Sequence, residues 1–117
     1  RVPSVVEAAS EGFTPVGGMI YEKLGEKFDG DRHWWVQAEA AVGYFNLWEH
    51  FGVQEGLENA LHCWEYIKNN IVDRENGEWV WSVRADGTIN RDEDKAGFWK
   101  CPYHNSRMCL EIVERTK

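Results

Sequence analysis

The sequence predicts a mostly α-helical chain of helical hairpins carrying one short β-hairpin, on three observations. Residues 32–51 and 55–72 hold apolar side chains at helical spacing without a proline, and only Gly52-Val53-Gln54 joins them. After Asn76-Gly77 the period changes to two, with Trp79, Trp81 and Val83 alternating with Glu78, Val80, Ser82 and Arg84. A further helical pattern starts after Pro102.

In chain order, residues 2–10 read as the tail of a helix that stops before Glu11-Gly12. Gly17-Gly18 reads as a turn into a short extended stretch, Met19-Ile20-Tyr21, so this segment is a connector. Asp31 is placed to cap a helix starting at Arg32 or His33. One stripe of that helix runs Trp34, Ala38, Ala41, Phe45, Trp48 and a second runs Val36, Ala40, Tyr44, Leu47, Phe51, the pattern of a helix buried on several sides. Gly43 in its interior costs about 1 kcal/mol relative to Ala, which points to close approach by another backbone. The next helix is plainly amphipathic, with Leu57, Leu61, Trp64, Ile67 and Ile71 on one face and Glu58, His62, Glu65 and Asn69 on the other. The short connection makes the two antiparallel neighbours. Asp86-Gly87 closes the β-hairpin onto Thr88-Ile89, read as a loop decoration. Residues 90–95 form a charged, solvated loop whose Asp92-Glu93-Asp94 lacks calcium-loop spacing. The last helix follows Pro102 and runs through Met108, Cys109, Leu110, Ile112 and Val113 to Arg115. Alternation of buried and half-exposed helices is what a toroid of helical hairpins would show.

The 117 residues make one segment that can bury about 65% of its unfolded surface. Thirteen Lys and Arg against 20 Asp and Glu give a charge of −7, the wrong sign for nucleic acid or an anionic membrane. No apolar run reaches the roughly 18–20 residues of a membrane span, and the start, Arg1-Val2-Pro3-Ser4, lacks the apolar core of a signal peptide; the expectation is a cytoplasmic protein. Cys63, Cys101 and Cys109 fit reduced thiols better than a disulfide scaffold. The lack of an initiator Met, with a helical pattern under way at Val5, leads us to expect a chain that begins mid-protein. Seven tryptophans suit two jobs, filling cores and stacking on the C–H faces of sugars, and most are expected in the core.

Two constellations could carry chemistry. Trp35 and Glu39 are four apart on a helix and share a face with Gly43 and Asn46, a polar strip that either pairs with neighbouring side chains or faces a polar pocket. His104 sits just inside a helix start, where the positive end of the helix dipole disfavours the imidazolium and favours the neutral base. The bland reading of His104 is a structural histidine. Cys101 and His104 have a ligand-like offset, but the matching second pair is missing and no metal is expected. No nucleophile elbow, P-loop or dinucleotide fingerprint occurs, and His50 and His62 read as solvated helix positions.

The segments His33-Trp34-Trp35-Val36-Gln37-Ala38-Glu39-Ala40 and Trp99-Lys100-Cys101-Pro102-Tyr103-His104-Asn105-Ser106-Arg107-Met108-Cys109 closely resemble the C-terminal part of the N-acylglucosamine 2-epimerase family. Within it the second segment looks most like the members that act on cellobiose. The resemblance extends to Tyr21-Glu22-Lys23 and Glu78-Trp79-Val80-Trp81. It implies an (α/α)6 barrel around a sugar pocket, and inversion of C2 of the reducing-end aldose through an enediolate, with histidines moving the proton. By that resemblance His104 is a catalytic acid/base, Trp99 stacks on sugar, and Trp34, Trp35 and Glu39 are pocket residues. No metal, nucleotide or other cofactor is implied.

Six hairpins of helices of roughly 12 residues need on the order of 250 residues or more, so this chain is expected to be the final portion of such a barrel. The family's other catalytic histidines and its pocket arginine would lie upstream, the isolated chain is expected to be inactive, and its unpartnered inner faces would invite self-association. The alternatives are a noncatalytic carbohydrate-binding module, a purely structural helical scaffold, or activity on an amino sugar such as N-acetylmannosamine or on free mannose. The run from Lys100 to His104 favours cellobiose-type β-1,4 disaccharides by resemblance only.

Overall fold

The computed structural model describes residues 2–14, 18–24 and 26–117. Helix α1, Val2–Ala9, tightens into a 3-10 turn at Ser10–Gly12. Gly17, half of the expected turn, lies outside the described residues. Gly18 adopts φ +84° against the Tyr66 ring, accepts the Thr14 N–H at its carbonyl, and precedes a bridge between Phe13 and Met19. The connector then forms an antiparallel hairpin, β1 (Glu22–Leu24) with β2 (Lys27–Asp29), which the sequence did not announce.

Arg32 and His33 do not begin a helix. They form β3, which pairs antiparallel with β4 (Ser82–Val83), Arg32 opposite Val83 and His33 opposite Ser82. Asp31 consequently caps nothing, and its carboxylate accepts the Ala85 N–H at 3.1 Å instead. Helix α2 runs Trp34–Phe51 and ends in Gly52 at φ +68°, whose N–H returns to the Leu47 and Trp48 carbonyls. Helix α3, Gln54–Tyr66, widens into a π-turn at Ile67–Ile71 and packs back against α2. Helix α4, Tyr103–Arg115, packs on the same helix. Among the described residues, no helix is long and apolar enough to cross a membrane.

Burial takes Trp34, Ala38, Ala41 and Phe45 of the first stripe of α2, with Trp48 half-buried, and Tyr44 of the second, whose Val36, Ala40 and Leu47 are half-buried and whose Phe51 is exposed. On α3 the small residues carry the contact. Gly56, Ala60 and Cys63 are buried, and so are Ile67 and Ile71 of the π-turn, as expected; Leu61 and Trp64, expected on the same face, stay exposed along an apolar groove of about 340 Å³ shared with Met108, Ile112 and Val113 of α4. Helices packed this closely bury short side chains, and the bulky ones flank the seam.

The close backbone approach falls on Gly56 rather than Gly43. A Cβ on Gly56 would lie 2.6 Å from the Tyr44 carbonyl oxygen and 2.9 Å from the Trp48 nitrogen, while one on Gly43 meets nothing within 4 Å. The 79–83 segment is likewise more than a decoration. Trp79, Val80, Ser82 and Val83 are all buried, so no clean two-face alternation survives. Asp86-Gly87 makes its turn with Gly87 at φ +89°, but the link onward is a single bridge from Val83 to Ile89, and the ladder partner of β4 is β3.

Candidate active site

The β3–β4 ladder and the Trp34 N–H donated to the Trp81 carbonyl at 2.9 Å fix where α2 begins, and α4 begins beside it. Buried Gln37 completes the anchor. Its side chain accepts from Met19 N–H at 2.7 Å and donates to the Met19 and His33 carbonyls at 2.8 and 3.0 Å, which ties the connector to the first turns of α2.

One turn further, Glu39 and His104 meet across the helices. His104 Nδ1 lies 2.6 Å from Glu39 Oε1, with both side chains about one-third exposed. The same oxygen accepts the Arg107 guanidinium, which lies one turn along α4 from His104 and over the Tyr103 ring. Desolvation works against the Arg107 charge, but Glu39 and Tyr103 together outweigh it and hold the guanidinium above its usual value. Opposite a carboxylate, Nδ1 must carry the hydrogen, and a neutral ring then presents the Nε2 lone pair.

Two indoles bracket the imidazole. Trp34 lies edge-on at 5.4 Å and is only 2% exposed; Trp35 is tilted at 5.8 Å and is 37% exposed. A ring buried to this degree has no face to offer a sugar, so Trp34 backs the histidine and Trp35 presents its surface. Tyr21 meets Trp35 edge-on at 6.2 Å, and together with Glu39 they enter the wall of a groove of about 500 Å³ between α1 and α2. That groove touches the pair through Glu39 and does not include His104.

Behind Trp34 lies buried Lys100. Its ammonium sits 4.6 Å over the Trp34 ring, donates to the Lys95 carbonyl at 2.5 Å and lies 3.5 Å from Glu78 Oε1; burial pulls this amine below its ordinary value and Glu78 opposes the shift. Glu78, a non-glycine residue at φ +62°, also accepts from Asn105 Nδ2 and Trp79 N–H, both at 2.8 Å. One carboxylate thereby holds Lys100 and Asn105, which flank His104 in the chain, the second of them directly. Arg107, Lys100, Asn105 and Glu78 lie within the segments that carry the resemblance, but none was singled out as a site residue.

Trp99 stands apart: it is 82% exposed and its ring contact, at 4.9 Å, is with Phe98. His50 and His62 are exposed. Cys101 is exposed, and the commitment of His104 Nδ1 to Glu39 removes one ligand atom from the Cys101/His104 offset. Asp29, Asp31 and His33 bring ligand atoms within 4.8 Å of one another, and one oxygen of each carboxylate already accepts the Asp31 or Ala85 N–H; burial holds His33 below its usual value against the pull of Asp29, Asp31 and Glu93.

Residues 5–107 match the model of the N-acylglucosamine 2-epimerase family, a span that holds Glu39, His104 and Arg107. A cellobiose 2-epimerase of Bacteroides fragilis is 58% identical over 96% of this chain, and one of Ruminococcus albus is 46% identical over 85%. A solved sugar epimerase from a ruminal bacterium superposes with a TM-score of 0.88 at 38% identity over 95% of the chain, and the cellobiose 2-epimerase of Bacillus thermoamylovorans with 0.86 at 39% over 97%. The chain spans only 26–29% of the length of these four relatives. On the strength of that match, this chain belongs to the N-acylglucosamine 2-epimerase family.

Proposed function

We propose that the chain is the C-terminal portion of an (α/α)6-barrel sugar 2-epimerase that inverts C2 of the reducing-end glucose of a β-1,4 disaccharide of the cellobiose type. The observation that carries this reading is the 2.6 Å contact of His104 Nδ1 with Glu39, beside the exposed face of Trp35. In the open-chain sugar the C2 hydrogen is acidified by the C1 carbonyl. His104 Nε2 takes that proton, the C2–H electron pair becomes the C1–C2 double bond of an enediolate, and the carbonyl oxygen takes the negative charge. A proton delivered to the opposite face of C2 gives the epimer. No atom is gained or lost and no electron leaves the substrate. Delivery to the other face needs a second acid, which by the family resemblance lies upstream of this chain.

Trp35 offers the stacking face, and Trp34 holds the imidazole from behind. Trp99, free on its surface, suits the second sugar ring. The likeness to cellobiose 2-epimerases favours a disaccharide over an amino sugar or free mannose. The isolated chain lacks most of the barrel, so it is inactive by itself, and exposed Leu61, Leu110 and Val113 favour its self-association.

The test is proton NMR of cellobiose in D2O, following loss of the reducing-end C2 signal with this chain alone and after addition of a separately expressed upstream fragment. Exchange is expected only with both pieces, and His104→Ala is expected to slow it by about 10²–10⁴-fold. Exchange that survives His104→Ala would take the proton transfer away from His104, and disaccharide binding with no exchange in any combination would discard the epimerase reading for a noncatalytic sugar-binding module.

A further inference from the structure

We infer that Glu78 is a positioning residue: by holding Asn105 it fixes the first turn of α4, and with it the place from which His104 reaches Glu39. The inference rests on the reading of His104 as the base that moves the C2 proton. The entry to α4 has little packing of its own. Cys101, Pro102 and Tyr103 are all exposed, and Pro102 supplies no side-chain cap to the helix. The buried residues on either side of them and of His104 are Lys100, at 2% exposure, and Asn105, at 8%. Both meet one oxygen of Glu78, Lys100 Nζ at 3.5 Å and Asn105 Nδ2 at 2.8 Å, the latter across 27 residues of chain. The His104 ring leaves the same turn toward α2, so the turn is gripped from two sides, by Glu39 through position 104 and by Glu78 through position 105.

Glu78 is built as a fixed post. Its φ of +62° is a conformation that costs every residue except glycine, and Gly77 before it already turns the chain at φ +81°. Such a backbone persists only where its surroundings enforce it. Here Asp73 N–H donates to the Glu78 carbonyl at 2.9 Å, Trp79 bridges to Val72, and Val80 N–H donates to the Ile71 carbonyl at 2.8 Å, which ties residues 78–80 to the end of the π-turn. Trp79 N–H also donates to the Glu78 oxygen that receives Asn105, so the carboxylate is oriented before α4 arrives. Glycine would suit this backbone better and would supply none of these side-chain contacts. An error of about 1 Å at a reacting group can cost about 10²-fold in rate, so a hold on the residue beside His104 is a hold on proton transfer.

The test separates position from fold. C2 exchange is followed with this chain and its upstream fragment together. Asn105→Ala, which leaves Glu78 facing Lys100, is expected to lower kcat by about 10–100-fold with KM unchanged. Glu78→Ala is expected to do the same, and the double variant to fall no further than the worse single, because both singles remove one contact. Glu78→Gln keeps an oxygen for Asn105 and Trp79 and should hold kcat within about threefold of the parent, although it takes the charge from beside Lys100 and lowers the melting temperature. Losses that multiply in the double variant, or a Glu78→Gln as slow as Glu78→Ala, overturn the inference. Should Glu78→Ala fail to fold with Lys100 left unpaired, Asn105→Ala decides. A second readout needs no turnover. In the same two-piece assembly, hydrogen exchange at the Arg107 and Met108 amides, the first of the α4 ladder, should quicken by about tenfold or more in Asn105→Ala while the α2 and α3 amides keep their parent rates. Unchanged rates at Arg107 and Met108 overturn the inference. Absent C2 exchange in the parent pair would fail the epimerase reading and leave the amides to decide, whereas parent exchange with Asn105→Ala unaltered in kcat and amide rates would fail this inference alone.

Discussion

Substituting alanine at Gly56 and at Gly43 pits two interior helix glycines against each other. At Gly56 the new Cβ would stand 2.6 Å from the Tyr44 carbonyl oxygen, and restoring an ordinary contact of 3.4 Å opens the α2–α3 seam by about 0.8 Å. Both nearest atoms belong to the α2 backbone, which has no rotamer by which to yield, so the overpacking cost falls toward the upper part of the usual range of about 1–3 kcal/mol. Alanine returns at most about 1 kcal/mol in helix propensity. The expected net loss is about 2 kcal/mol, or about 8 °C in melting temperature for a chain of this size. At Gly43 the Cβ meets nothing within 4 Å, so the propensity gain stands alone and stability should rise by about 1 kcal/mol. Urea unfolding followed by far-UV circular dichroism measures both. A Gly43→Ala loss exceeding that of Gly56→Ala would refute the assignment of the helix contact.

Three further outcomes are expected. Gln37→Ala leaves the buried Met19 N–H and the Met19 and His33 carbonyls without their side-chain partner and should cost about 3 kcal/mol in urea unfolding, with faster proteolysis of the connector. The Cys63 thiol, pushed by burial from 9.0 up to about 12, ionises in the unfolded chain before the folded one; the stability it contributes is intact below pH 9 and lost as pH rises toward 12, so parent protein should lose about 1.4 kcal/mol more than Cys63→Ala by pH 10. Trp34→Ala should cost about 3–5 kcal/mol, against about 1 kcal/mol for Trp35→Ala, in calorimetric melts; equal losses would contradict the division between a backing ring and a presented one.

The three long helices are legible in the sequence because each carries enough turns for its 3.6-residue period to show. Arg32 and His33 are not, since a two-residue strand has no period and its partner lies 50 residues away. Asp31 carries a capping signal that is the same whether its carboxylate turns to the helix or to Ala85. Leu61 and Trp64 mislead because hydrophobicity marks an apolar face but not which side of it meets the neighbour, and Ala60 and Cys63 fit the close seam better. Within the site, Trp35 with Glu39 and the position of His104 at a helix start are readable, each on its own helix. Their meeting is not, because 65 residues separate Glu39 from His104, and Arg107 gains its significance only from that meeting.

That separation also orders the events of folding. The α2–α3 hairpin closes through a two-residue link and can gather its core early, whereas the Glu39–His104 contact closes a loop of 65 residues, and the β3–β4 strap one of about 50, against a larger entropic cost. The Glu39–His104 pair is therefore assembled late, and by the same token it is the part most easily undone by partial opening. A sample can retain most of its helical signal through α2 and α3 while His104 has parted from its carboxylate, so helix content is a poor gauge of whether the site is intact; protection of the α4 amides from hydrogen exchange is the better one.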